Sequence, residues 1–203
     1  MEFRPLAIEG AWEITPRQFA DRRGVFLESY NEGPFAEAIG HRLAVAQTNV
    51  SVSAAGVVRG IHFADVPPGQ AKYVTCVSGA VWDVVIDIRV GSPTFGEWEG
   101  VVLDDVNRRA VYLSEGLGHA FMSLEEGSAV TYLCSVPYNP GHEREIHPLD
   151  PEIGIEWPTR GRDGSPIEPQ LSGKDAAGPT LSEAREAGLL PTAEAVRLWR
   201  NAL

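Results

Sequence analysis

An all-β, antiparallel jelly-roll barrel closed by short C-terminal helices is the fold this sequence predicts, on three observations. Residues 43–135 form a succession of short apolar or alternating runs, turn-forming residues separate the runs, and no segment of helical period interrupts them. Regular strands without crossover helices make an antiparallel sandwich or barrel, and their number favours a jelly roll.

The runs, in order, are 43–53, 57–63, 71–78, 80–90, 98–104, 109–113, 119–124 and 128–135. Between them lie Ser-Ala-Ala-Gly, Pro-Pro-Gly, Ser-Gly, Gly-Ser-Pro and Glu-Glu-Gly, all residues that set turns. The clearest alternation puts Trp82, Val84, Ile86, Ile88 and Val90 on one face and Asp83, Asp87 and Arg89 on the other. Residues 158–179 are rich in Pro, Gly and Asp and predict an irregular excursion. Thr180 with Glu183 forms a capping box for a helix over 181–190, Pro191 stops it, and 192–203 starts a second short helix. One domain over 1–203 is expected, with its barrel core at about 43–135 and a tail from 158 packed on the barrel or reaching a partner.

Composition limits the function classes. A net charge of −11 argues against a nucleic-acid or anionic-membrane surface, although a few local cations could still bind an anionic small molecule. The opening segment has no signal-peptide pattern and no apolar run is long enough to span a membrane, so the cytoplasm is the expected location. Cys76 and Cys134 sit in apolar strands and read as small core residues of a reducing compartment.

Strand alternation also selects candidates for chemistry. Lys72 shares a face with Val74 and Cys76, and Tyr132 with Val130 and Cys134, so both are expected to point into the barrel. A buried charge there needs a partner or a task. Glycines flank His62 and His119, which on strands marks close approach of a ligand or another backbone. His62 suits a base near neutrality and Tyr132 an acid. Lys72 and Arg59 suit a developing oxyanion or a diphosphate, and Asp175 is a candidate to orient His62. Together they fit proton abstraction beside a carbonyl.

Other chemistries find less support. The His-x-His pair common in metal-binding small jelly rolls is missing, because Ala64 stands two residues after His62; no metal site is expected. There is no Gly-x-Ser-x-Gly elbow and no Gly-x-Gly-x-x-Gly between a strand and a helix, so neither a serine nucleophile nor a nicotinamide is expected.

A set of motifs, in order along the chain, resembles one family. It includes Phe19–Ser29, Ala46–Asn49, Gly56–His62, Ala71-Lys72, Val84–Arg89, Gly91–Gly96, Gly116–Phe121, Tyr132–Tyr138, Glu143, Gly154–Pro158 and Leu171–Asp175. This set is similar to the dTDP-4-dehydrorhamnose 3,5-epimerases. The resemblance implies a cupin-like jelly roll, a homodimer with exchanged N-terminal strands, a dTDP-4-keto-6-deoxyhexose substrate and no cofactor. It also implies His62 as the base, Asp175 as its carboxylate, Tyr132 as the proton donor and Lys72 as the cation beside the enolate oxygen. Tyr138 matches a ring that stacks on substrate. Arg23, Phe26, Glu28, Gln47, Asn49, Arg59, His119, Glu143 and Lys174 match nucleotide- or sugar-binding positions, with Arg23 serving a neighbour's site.

Two departures bear on specificity. Val50 stands where the family commonly has His, and residues 65–70 with Tyr73 resemble the branch that serves antibiotic deoxysugar pathways, some of whose members invert only C3 or only C5. Tyr138, Phe121 and Val50 are expected to limit room around the sugar, favouring exchange at C3 over C5. A ketoisomerase on the same scaffold and a non-catalytic sugar-binding jelly roll are the competing readings, and the Lys72, Tyr132 and Asp175 set favours epimerisation over both.

Overall fold

The computed structural model describes residues 1–201 and is a jelly roll built from two facing antiparallel sheets. The first sheet runs β1 (Glu2–Pro5), β2 (Ala11–Thr15), β10 (Ala110–Leu113), β7 (Lys72–Ser78), β12 (Ser128–Cys134) and β5 (Gln47–Ser53). The second runs β13 (Glu143–Glu145), β6 (Val58–Ala64), β11 (Gly118–Ser123), β8 (Ala80–Ile86) and β9 (Trp98–Asp104). Between them lies the barrel core, in which Val74, Cys76, Val111 and Val130 of the first sheet meet Val81, Val85, Leu103 and Phe121 of the second. Lys72 and Tyr132 share these inward faces, as alternation predicted. A separate hairpin, β3 (Gln18–Asp21) with β4 (Gly24–Leu27), pairs with neither sheet.

The second sheet is buried on both sides. Ile61, Phe63, Val84, Ile86 and Ile88 point away from the barrel and are covered by Ile153 and by Leu181, Ala184 and Leu190 of the tail. The apolar face of the 80–90 run therefore packs under the tail, while its Asp83 side lines the barrel. That run is also shorter as a strand than expected, because β8 ends at Ile86. Asp87 ends the ladder by collecting both forks of Arg89 at 2.8 Å together with the hydroxyls of Ser92 and Thr94. This folds 87–94 into a turn rather than extended strand.

The C-terminal helices start where expected, but the first, α3 (Leu181–Glu186), ends with Gly188 at φ 68° just beyond it rather than running to Pro191. It carries the Thr180–Glu183 capping box, and α4 (Ala193–Arg200) starts from Thr192. The end of the second predicted helix, residues 202–203, lies outside the described residues. A short helix, α2 (Gly173–Ala176), breaks the segment expected to be irregular. Alternation reasoning also missed α1 (Glu32–Ile39), whose Gly33-Pro34 start reads as a turn. Asn31 caps it by accepting from Gly33 N, Pro34 sits in the first turn where proline is tolerated, and Gly40 closes it at φ 92°. Its Phe35 packs on Tyr30, Tyr73 and Tyr112 outside the first sheet. Among the described residues, no helix is long and apolar enough to cross a membrane.

Candidate active site

The site is organised by a bulge in β6. In a regular strand Arg59 and His62, three apart, would face opposite ways. Here His119 pairs with His62 but Phe121 pairs with Arg59, so β6 spends three steps where β11 spends two. The extra residue turns Arg59 and His62 to the same side, toward the barrel. Gly60 makes this possible. Its φ is +115°, and a Cβ there would stand 2.5 Å from the His119 carbonyl oxygen. The glycine expected to mark a close approach therefore admits another backbone.

His62 is half-buried, and its Nε2 lies 2.7 Å from Asp175 Oδ1. Asp175 is delivered by the tail. Gln170 pairs with both Gly56 and Val58 at the start of β6, and Ser172 then caps α2 by accepting from Asp175 N at 3.0 Å. The same hydroxyl donates to Asp175 Oδ2 at 2.9 Å, so both carboxylate oxygens are held. Burial pushes the Asp175 carboxyl up, but His62, Ser172 and Lys174 outweigh it and hold the group below the usual aspartate range. An ionised Asp175 on Nε2 fixes the ring's tautomer and leaves Nδ1 without a described partner, free to take a proton.

Across the barrel stand Lys72 and Tyr132, carried by adjacent strands: Cys134 pairs with Lys72, and Tyr132 with Val74. Lys72 is buried, and burial lowers its pKa; the negative charge of Glu143 opposes that, as do Cys134 and Asp83. Burial likewise raises the Tyr132 pKa, so its hydroxyl stays protonated and able to donate. Beside them, Gln47 donates to Asn49 at 2.8 Å and accepts from Tyr138 N at 2.8 Å, which anchors the otherwise exposed Tyr138 at the rim.

A second histidine–carboxylate pair lies deeper. His119 Nε2 meets Asp83 Oδ2 at 2.8 Å, both groups are buried, and Asp83 Oδ1 has no described hydrogen-bond partner. Alternation puts Asp83 on a polar face without giving it a role, although an aspartate between Val81 and Val85 of one strand face is the available signal. Among the described residues no cluster of three metal-binding side chains occurs; each of these histidines is held by its own carboxylate. Arg59 donates to Ser53 at 3.1 Å, Glu143 lies on β13 beside Ala64, and Lys174 pairs with Glu145 at 3.1 Å.

Three expected substrate contacts are not brought to this group within one chain. Arg23 and Phe26 lie on the β3–β4 hairpin, where Arg23 bonds Asp21 at 2.6 Å and Phe26 is 67% exposed. Glu28, just after it, accepts from Asn31. Val50, expected to limit room around the sugar, does not face it. It alternates with Asn49 and Ser51 and faces outward from the sheet at 66% exposure, so it does not crowd the ring in its own barrel. Phe121 does line the interior.

The chain as a whole is similar to known proteins. The family model described as dTDP-4-dehydrorhamnose 3,5-epimerase matches residues 5–183. The chain belongs to that family. A dTDP-4-dehydrorhamnose 3-epimerase of Streptomyces niveus is 62% identical over 95% of this chain and 89% of its own. The crystal structure of NovW, a 4-keto-6-deoxy sugar epimerase from the novobiocin biosynthetic gene cluster of Streptomyces spheroides, superposes with a TM-score of 0.92 at 60% identity, covering 97% of this chain and 95% of that one. ChmJ, a 3'-monoepimerase from Streptomyces bikiniensis in complex with dTDP-quinovose, gives 0.91 at 49% identity, covering 98% and 97%. This member of the epimerase family thus has single-centre epimerases among its relatives, in keeping with the branch its 65–70 loop resembles.

Proposed function

We propose that this chain epimerises a dTDP-4-keto-6-deoxyhexose at C3, C5 or both, using His62 as the base and Tyr132 as the acid. The observation that carries this reading is the His62–Asp175 pair at 2.7 Å on one wall, with Lys72 and Tyr132 on the opposite one. His62 Nδ1 removes the proton from the carbon beside the ketone. The electron pair moves onto the ketone oxygen, where the Lys72 ammonium stabilises the enolate. Tyr132 then returns a proton to the other face of that carbon, inverting it. A ring turned within the barrel presents the second carbon to the same base. Base, oxyanion partner and acid are all side chains of this chain, and the relatives that share the fold act on such sugars by name.

The nucleotide half of the substrate calls for a second subunit. Strand β1 pairs with β2 and β2 with β10 of the same chain, which leaves β3–β4 as the element available to cross. Its exposed Phe19, Val25 and Phe26, with Arg23 at the turn, suit a base and a diphosphate in a partner's barrel. A homodimer with exchanged hairpins completes the site.

Incubation with dTDP-4-keto-6-deoxyglucose in deuterated water tests the reaction class. Deuterium at C3, C5 or both supports an epimerase. A moved carbonyl would indicate a ketoisomerase, and no exchange a binding protein; either would overturn the proposal.

A further inference from the structure

A cavity of about 1110 Å³ lies outside the barrel, between α4, the segment after α1 and the end of β10, and shares no residue with the His62 group. It opens on the other side of the first sheet. Tyr112 in its wall pairs with Tyr73 on the outer face, while the neighbouring Lys72 points into the barrel. Its size slightly exceeds the roughly 300–1,000 Å³ usual for small-molecule pockets.

Its walls hold buried polar groups with nothing to bond. Tyr112 is 0% exposed and its hydroxyl has no described partner; the buried Trp199 Nε1 has none either. Glu115 is 8% exposed and makes no hydrogen bond or ion pair to any described residue, in contrast to Asp87, which is saturated by Arg89, Ser92 and Thr94. Leaving the Tyr112 hydroxyl and Trp199 Nε1 unanswered costs about 1–3 kcal/mol each, so the cavity calls for a polar occupant. Arg200 and Glu115 both act on the Tyr112 hydroxyl, behind burial as the main influence, yet form no ion pair with each other. They border a gap.

The groups around that gap define a chemistry. Arg197 and Arg200 stand three residues apart on one face of α4, both in the wall and neither paired with a described carboxylate. Buried Arg89, also in the wall, spends Nε and Nη2 on Asp87 and leaves Nη1 without a described partner. Forked guanidinium donors suit a phosphate. Glu115, which only accepts, needs a donor that phosphate lacks, whereas Trp199 Nε1 needs an acceptor. Sugar hydroxyls both donate and accept, and the indole face suits the apolar side of a sugar ring. We propose that this cavity binds a phosphorylated sugar, with the phosphate on Arg197 and Arg200 and a ring hydroxyl on Glu115.

The test is calorimetric titration of the intact protein with glucose 1-phosphate, inorganic phosphate and glucose. Glucose 1-phosphate should bind more tightly than either half alone. The double variant Arg197→Ala/Arg200→Ala should weaken it roughly tenfold or more, and Glu115→Gln or Tyr112→Phe should weaken it severalfold with the fold intact. Arg59→Ala and Lys72→Ala, which alter the barrel, should leave it unchanged. No binding up to about 10 mM, equal affinity for inorganic phosphate, or a loss confined to the barrel variants would overturn the proposal.

Discussion

Asp175 Oδ1 and His62 Nε2 lie 2.7 Å apart although 113 residues separate them in the chain. The pairing depends on two local devices: the β6 bulge that turns His62 inward, and the Ser172 cap that presents Asp175 at the start of a four-residue helix. Asp175→Asn preserves shape but removes the ionised acceptor, so the tautomer that frees Nδ1 is no longer enforced. We expect kcat to fall by about 10²–10⁴-fold with KM nearly unchanged. A fall of less than about threefold in steady-state kinetics would remove Asp175 from this role.

Lys72 sets stability against activity. Burial lowers its pKa in the folded chain, so its protonated form is disfavoured by folding. The resulting cost is complete below the folded value and is relieved as pH rises from there toward the unfolded lysine's pKa of about 10.4. Lys72→Met should therefore raise the melting temperature by a few degrees, about what 1 kcal/mol produces in a chain of this size, and flatten the alkaline part of the stability profile. Turnover should drop by about 10²-fold or more, since the enolate loses its cation. Thermal melts at several pH values alongside activity assays read both effects, and a Lys72→Met variant as active as the parent would contradict the role.

Tyr132→Phe should separate proton removal from proton return. Burial keeps this phenol protonated beyond its ordinary range, so it is able to donate in the neutral region. Without it, His62 still exchanges the carbon-bound proton, but inversion loses its acid. Product formation should fall more than deuterium incorporation does. Equal losses in both, or turnover like the parent's with unchanged stereochemistry, would assign the donor elsewhere.

Much of this was legible in the sequence because strands alternate. The inward faces of Lys72 and Tyr132 follow from Val74, Cys76 and Val130 beside them, and the α3 cap follows from Thr180 and Glu183. Period-2 reasoning cannot place Arg59 and His62 on one side, because a bulge breaks the period and only Gly60 between them marks it. Nor does it show that Trp82, Val84 and Ile86 pack under the tail rather than into the barrel, since both faces of that sheet are apolar. Helix α1 was hidden by Gly33-Pro34, and the Asp83–His119 pair by its spread over two strands. The outward position of Val50 follows from the same alternation, since its neighbour Asn49 takes the inward face.

The bulge gives a sharp prediction of its own. Gly60→Ala would place a methyl against the His119 carbonyl at a backbone angle that side chains rarely adopt. We expect a loss of about 2 kcal/mol or more in chemical denaturation, with residual folded protein showing weakened substrate binding as Arg59 and His62 lose their shared face. A loss below about 0.5 kcal/mol would mean that the bulge is not held by this glycine.

Acid should unfold the chain partly through Asp87. Burial raises its pKa, but Arg89, Ser92 and Thr94 together hold it below the ordinary value. The stabilisation is complete above the unfolded carboxyl's pKa of about 3.9 and is lost as pH falls through the lower folded value. Asp87→Asn should destabilise the protein by about 3 kcal/mol at neutral pH, because Arg89 is left buried and unpaired, and should weaken the dependence below pH ~4. Parallel pH–melting curves for the two proteins would contradict this.

The central claim is that His62 removes the carbon-bound proton, and exchange measures that step directly. In deuterated water, NMR of dTDP-4-keto-6-deoxyglucose should show the parent protein introducing deuterium at C3 rapidly and at C5 more slowly. His62→Asn, folded by circular dichroism, should show exchange at neither position above the uncatalysed rate. Exchange by His62→Asn at a rate near the parent's would contradict the account, whatever product the parent forms.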